Sequence, residues 1–177
     1  MSLVVVGVAD CKIATVPGQM LVTYALGSCI AMAVYDPASA VGGLLHYMLP
    51  DSGIDPARRN ENPYKFADTG IPMLLDGVAR AGANRRRLVV RIAGGAQIMD
   101  PDCVFDIGRR NHQALRKILW KAGLLVQGEE VGGTISRSVR MEIGTGRLWL
   151  RLAGGAEQEM PLAGPAGKGE NRWHIAS

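Results

Sequence analysis

The sequence is poor in the residues that build metal clusters and disulfide frameworks. Its 177 residues include only three cysteines and three histidines, all widely separated, and no CxxC pair. An odd number of cysteines in a chain without a secretion signal argues for reduced thiols. A zinc site needs several such ligands close together, so we expect no metal site.

Long apolar runs and strong charge are also missing. No apolar run reaches the roughly 18 residues of a membrane helix, so no membrane insertion is expected. The short apolar run at the N-terminus follows no basic segment, which argues against export and for a cytoplasmic protein. The net charge is +4 and aromatic residues make up 5%. Nucleic-acid binding usually combines a basic patch with aromatic stacking surfaces, so it is not expected either.

What the sequence does have is a series of short apolar segments separated by glycine, proline or aspartate. Two longer segments, residues 66–83 and 108–123, repeat apolar residues at helical spacing. Because neighbouring strands are joined by short loops, the pattern favours an α+β fold. We expect a layered α/β sandwich of mostly antiparallel or mixed sheets with two main helices. The predicted strands are residues 3–8, 20–26, 29–36, 41–49, 87–99, 124–133, 138–143 and 146–152.

The length and composition predict one domain, residues 1–155, followed by a weakly ordered tail, residues 156–177. The tail is rich in glycine, proline and alanine. Residues 51–65 are polar, contain two prolines and are predicted to form a long loop. Long ordered loops in compact domains are often functional.

A cysteine in the segment "LGSCIAMAVYDP" has two possible interpretations. Cys29 directly follows Gly27-Ser28 and begins a predicted strand, while His46 lies on the next predicted strand. Opposite side chains on paired strands lie roughly 5 Å apart at Cβ, so a Cys–His pair is feasible. Thr23 would orient the imidazole if its strand ran alongside. A cysteine and a histidine on apolar strands are also common as plain core residues, and the residues alone leave both interpretations open.

A resemblance to a known family favours catalysis. The chain resembles the CheD family, the chemoreceptor glutamine deamidases of bacterial and archaeal chemotaxis, over roughly residues 3 to 155. The matching motifs are Thr23, "LGSC" (26–29), "YDP" (35–37), "GGLLHYMLPDS" (42–52), "KFADTGIPMLL" (65–75), "AGGA" (93–96), "IGRRN" (107–111), "EEVGG" (129–133) and "TGRLWLR" (145–151).

The resemblance implies a papain-like cysteine hydrolase on an α/β sandwich similar to that of the cytotoxic-necrotizing-factor deamidases. It implies Cys29 as nucleophile, His46 as base and Thr23 as the residue that orients the histidine. Backbone N–H groups of Ser28 and Cys29 would then stabilise the oxyanion. The implied activity is that of a protein-glutamine glutaminase without a cofactor, and glutamyl methyl esters are conceivable further substrates.

The implied partners are methyl-accepting chemotaxis receptors. Arg58 and Arg59, in the loop after the strand that bears His46, are predicted to help bind the receptor. The alternative function is that of a chemotaxis adaptor, which binds and stimulates a CheC-type phosphatase and has little or no deamidase activity.

Overall fold

The computed structural model describes residues 2–98 and 105–161. The described residues form three α-helices, α1 (Pro56–Glu61), α2 (Ala67–Arg80) and α3 (Ile107–Lys121), together with single 3-10 turns at Ser52–Ile54, Pro63–Lys65 and Arg85–Arg87. Their strands are β1 (Ser2–Val5), β2 (Asp10–Ala14), β3 (Gln19–Leu26), β4 (Ile30–Asp36), β5 (Val41–Tyr47), β6 (Val89–Gly94), β7 (Gly128–Val131), β8 (Arg137–Glu142), β9 (Leu148–Leu152) and β10 (Glu157–Glu159).

The strands form two five-stranded sheets. The outer sheet has the order β1-β3-β8-β9-β10, and the central sheet has the order β2-β5-β4-β6-β7. All pairs are antiparallel except β1 with β3 and β6 with β7. The predicted α+β sandwich of mixed, mostly antiparallel sheets with two main helices is therefore confirmed.

Two apolar cores hold three layers together. One core joins the two sheets, with Leu21 and Met141 from the outer sheet against Ala33 and Leu44 from the central sheet. The other core joins the central sheet to α2 and α3, where Met32 contributes from β4. Each face of the central sheet is thus covered, and every residue of β4 and β5 is buried. This double burial explains why their sequences read as continuous apolar runs rather than alternating ones.

The structure departs from the sequence-based expectations in three places. Residues 10–14 form β2, which was not predicted. The segment 51–65 is not an open loop, because Asp55 caps α1 by accepting from the Arg58 N–H and Pro56 begins the helix. Glu157–Glu159 pair with β9, so regular structure continues past the predicted boundary at residue 155. The predicted tail otherwise lies in residues 162–177, outside the described residues, and stays a prediction.

In the described ranges, no helix is both long and apolar enough to cross a membrane.

Candidate active site

The predicted histidine and threonine come from different sheets and meet between them. His46 lies near the end of β5 in the central sheet, on the same face as Leu44, which packs in the core between the sheets. Thr23 lies on β3 of the outer sheet, opposite His46 rather than alongside it. Its hydroxyl is 2.8 Å from His46 Nδ1, and both residues are buried. The two side chains therefore meet through the packing of one sheet on the other.

The hydrogen bonds of Thr23 fix the tautomer of His46. The hydroxyl has one proton, and it donates that proton to the backbone carbonyl of Val6 at 2.8 Å. A carbonyl oxygen only accepts, so Thr23 must accept its second hydrogen bond from His46 Nδ1–H. Nε2 is then the unprotonated nitrogen. It is buried and has no hydrogen-bond partner within the described ranges, so its lone pair is available to accept a proton.

Burial keeps this imidazole neutral. It lowers the pKa of His46 from 6.5 to about 4, and the charge of Asp10 opposes that shift only weakly. Asp10 stands directly opposite His46 in the pairing of β2 with β5. At neutral pH the side chain is therefore a free base rather than an imidazolium.

Cys29 lies one residue before β4, at the edge of a cleft. Ala31 pairs with His46 across β4 and β5, and Cys29 packs against the same core between the sheets. The cleft has a volume of about 550 Å³ and is mainly apolar. Its described lining residues are Ala25, Gly27, Ser28, Cys29, Ala96, Gln97, Ile98, Phe105, Asp106, Ile107 and Gly108.

Cys29 and His46 are not a preformed ion pair. Burial raises the pKa of the Cys29 thiol, and the residue's own backbone N–H beside the sulfur opposes this rise. Within the described residues, no hydrogen bond links the sulfur to His46 Nε2. The adjacency of their strands made an ion pair feasible. Burial instead shifts the pKa values of both groups towards their neutral forms, because charge separation away from water is costly.

The turn that carries Cys29 is held by a second turn with the sequence "AGGA". Gly95 N donates to Cys29 O at 2.8 Å, and Ala96 N donates to Gly27 O at 2.8 Å. Gly94 has φ +118, and a Cβ there would lie 2.2 Å from Cys29 O. Only glycine permits both the conformation and the close approach. The double glycine therefore sets the position of the nucleophile turn.

Comparisons with known proteins match this architecture. Residues 48–152 match the family model "CheD chemotactic sensory transduction". A probable chemoreceptor glutamine deamidase CheD of Solibacter usitatus is 63% identical over 161 residues, which cover 91% of this chain and 95% of that protein. The chain belongs to the CheD family. A CheD relative of Syntrophus aciditrophicus is 46% identical over 89% of this chain and 98% of its own length. A CheD relative of Anaeromyxobacter dehalogenans is 44% identical over 92% of this chain and 100% of its own length.

Of the residues that the CheD resemblance singled out, Thr23 and His46 are brought into contact, and Cys29 lies on their side of the central sheet. Arg58 and Arg59 are exposed on α1, and neither is among the described residues that line the Cys29 cleft. Their predicted contact with the receptor stays a prediction. Cys103 lies outside the described residues.

Two positioning contacts in this CheD-family chain were less visible in the sequence. Asn111 donates from Nδ2 to Ser28 O at 2.9 Å and to Met48 O at 2.7 Å. Arg137 is buried and donates to the carbonyls of Gly132 and Gly94. The sequence signal for the contact of Asn111 was the asparagine of the motif "IGRRN". The arginine sits in an alternating strand pattern that gave no such signal.

Proposed function

We propose that this chain is a chemoreceptor glutamine deamidase, a cytoplasmic protein-glutamine glutaminase with Cys29 as nucleophile and His46 as base. Its substrates are glutamine side chains of methyl-accepting chemotaxis receptors, which become glutamates. The observation that carries the proposal is the hydrogen-bond chain from Val6 O through Thr23 to His46, because it leaves Nε2 as a buried proton acceptor. The names of the CheD relatives support the same activity.

The reaction follows from these groups. His46 Nε2 takes the thiol proton as the sulfur of Cys29 attacks the side-chain amide carbon. The resulting negative oxygen is stabilised by backbone N–H groups of Ser28 and Cys29. The imidazolium gives its proton to the departing nitrogen, which leaves as ammonia. Water then attacks the thioester with His46 again as base, and the products are glutamate and the free thiol.

The two pKa shifts bear on the timing of the proton transfer. With the thiol pKa raised and the imidazole pKa lowered, proton transfer accompanies attack instead of preceding it. The histidine is unprotonated throughout the physiological pH range, so the base is always ready. The cleft is mainly apolar, and an apolar lining strengthens the interactions of the developing charges with nearby dipoles.

The test is mass spectrometry of a receptor's cytoplasmic region after incubation with the protein. We expect glutamines at methylation positions to gain the mass of one amide-to-acid conversion with wild-type protein, and not with Cys29→Ala. A receptor modified equally by both proteins would contradict the proposal. Binding of a CheC-type phosphatase stays a prediction from the resemblance. Size-exclusion chromatography of a mixture of the two purified proteins tests it.

A further inference from the structure

Asn111 is an unusual buried side chain at the start of α3. It is fully buried, and its Nδ2 donates to two backbone carbonyls, those of Ser28 and Met48. Only the NH₂ group of an asparagine can donate twice, so the orientation of the amide is fixed. Its Oδ1 is then buried without a hydrogen-bond partner in the described part of the chain. Burying an unpaired acceptor costs free energy, so this contact needs an explanation beyond filling space.

The first of the two carbonyls belongs to the peptide bond that precedes the nucleophile. The described residues contain no cis peptide bond. In a planar trans peptide the carbonyl and the following N–H point in opposite directions. Since Ser28 O points to Asn111, the N–H of Cys29 points away from it. That N–H lies beside the sulfur of its own residue, where it lowers the pKa of the thiol against the effect of burial.

The second carbonyl belongs to the strand that carries the base. Met48 follows His46 by two residues, just past the end of β5. In return, the hydroxyl of Tyr47 donates to the backbone carbonyl of Asn111 at 2.8 Å. One residue of α3 is therefore tied to both segments that carry the catalytic groups, the Cys29 turn and the end of β5.

We propose that Asn111 is a positioning residue for the oxyanion hole: by holding the Ser28 carbonyl it aims the Cys29 N–H at the oxygen of the substrate amide. The inference rests on the proposed function, because it requires Cys29 to attack a carbonyl carbon. Asn111 does not touch the substrate and acts only through the Ser28–Cys29 peptide.

Two small reagents separate this role from a general effect on the thiol. Acylation of Cys29 by p-nitrophenyl acetate passes through a tetrahedral oxyanion, whereas alkylation by iodoacetamide is substitution at a saturated carbon and forms none. In Asn111→Leu, which keeps the number and branching of the side-chain heavy atoms but has no donor, we expect acylation to fall at least about tenfold, since losing a whole oxyanion donor costs about 10²–10³. Alkylation should fall much less, because a displaced Cys29 N–H changes only its effect on the thiol pKa and no oxyanion forms. With a receptor as substrate, kcat should fall and KM should not change.

Gln127→Met is the matched control. Gln127 is also an amide that ties backbone groups, those of Leu88 and Val90, but at the far end of β6 from Gly94. We expect its ratio of acylation to alkylation to equal that of the wild type. Where Asn111→Leu does not fold, Asn111→Ser replaces it, and the same fall in the ratio is expected.

The outcomes separate the two proposals. An unchanged ratio in the Asn111 variant, or an equal fall in both rates, would overturn the positioning role and leave the deamidase proposal intact. A wild-type protein that neither reagent modifies at Cys29 would overturn both. Neither reagent involves a receptor, so the ratio is measured independently of which receptor is the substrate.

Discussion

Cys11 and Cys29 are both half-buried and belong to the same sheet, but they lie on its opposite faces. Cys11 is the second residue of β2 and packs against the core under the helices, where burial and the neighbouring Asp10 raise the pKa of its thiol to about 12. Cys29 faces the core between the sheets, lines a cleft and has its own backbone N–H beside the sulfur. Burial is similar at the two sites. What differs is the set of groups that each face of the sheet presents to the sulfur.

The largest expected effect on deamidation comes from removing the thiol of Cys29, and removing the thiol of Cys11 should have almost none. Cys29→Ala should abolish deamidation, since no other group replaces the nucleophile, while Cys11→Ala and Cys103→Ala should retain nearly wild-type rates. Mass spectrometry of a treated receptor measures all three variants. Deamidation by the Cys29→Ala protein would contradict the role of Cys29. Loss of deamidation in Cys11→Ala with the fold intact would instead assign that role to Cys11.

Removing the base should have the next largest effect. His46→Ala should lower kcat by about 10²–10⁴, the usual contribution of a general base. Alkylation of Cys29 should slow as well, because the thiol loses its proton acceptor. The control is His112→Ala, since His112 Nε2 lies 3.2 Å from Glu129 Oε2 and the residue is not among the described residues that line the cleft, and we expect both rates to be unchanged. Unchanged alkylation in His46→Ala would exclude His46 as the base.

Removing the hydroxyl that orients the base should cost less. Thr23→Val keeps the shape of the side chain but frees His46 to adopt the tautomer with its proton on Nε2. Partners that orient a histidine typically contribute about 10–100-fold, and we expect a fall in kcat of that size. Thr69→Val also removes a hydroxyl that donates to a backbone carbonyl, that of Pro63, and should have no effect on kcat. Equal losses in the two variants would indicate a stability effect.

The buried histidine also predicts a pH dependence of stability. Because the folded-state pKa of His46 is about 4 against an ordinary 6.5, the unfolded chain binds this proton more tightly. This contribution to the free energy of unfolding is full above pH 6.5 and is lost as the pH falls towards 4. It amounts to about 3 kcal/mol at most, at about 1.4 kcal/mol per pKa unit. Urea unfolding at several pH values should show that His46→Gln lacks this part of the dependence.

The smallest effect is expected at α1. Replacing both Arg58 and Arg59 by glutamate should raise KM for the receptor several-fold and leave alkylation of Cys29 unchanged, because exposed charge contacts are weak and screened by salt. The control is the same exchange at Arg85 and Arg86, on the 3-10 turn before β6. An unchanged KM in the first variant would remove α1 from the receptor-binding surface.

The sequence predicted those helices and strands whose apolar pattern is complete within one short segment of the chain. The runs that became β4 and β5 are long, apolar and bounded by turn residues, and they were found. Residues 10–14 were missed because β2 is a short edge strand with a mixed polar pattern, and Glu157–Glu159 were missed because all three residues are polar. For α1, the Asp55-Pro56 signal was present but was outweighed by the polar composition around it.

The candidate site was predictable as a set of residues, whose roles stay a proposal, but not as an arrangement. Motifs identified Cys29, His46 and Thr23, whereas the contact of Thr23 with His46 depends on how two sheets pack, which no spacing in the chain encodes. The same holds for Asn111, which is 83 residues from Ser28 in sequence. Strand adjacency made a Cys29–His46 ion pair feasible but says nothing about how much water the packed sheets exclude, and burial shifts both pKa values against that pair.

On the proposed mechanism, the division of the base and its orienting threonine between two sheets links activity to the packing of those sheets. A chain in which the outer sheet has separated from the central one still carries the thiol and the imidazole, but nothing fixes the proton on Nδ1. Turnover in that state should fall by about the 10–100-fold expected for Thr23→Val. On heating, deamidation should therefore slow as the sheets separate, before the strands themselves come apart.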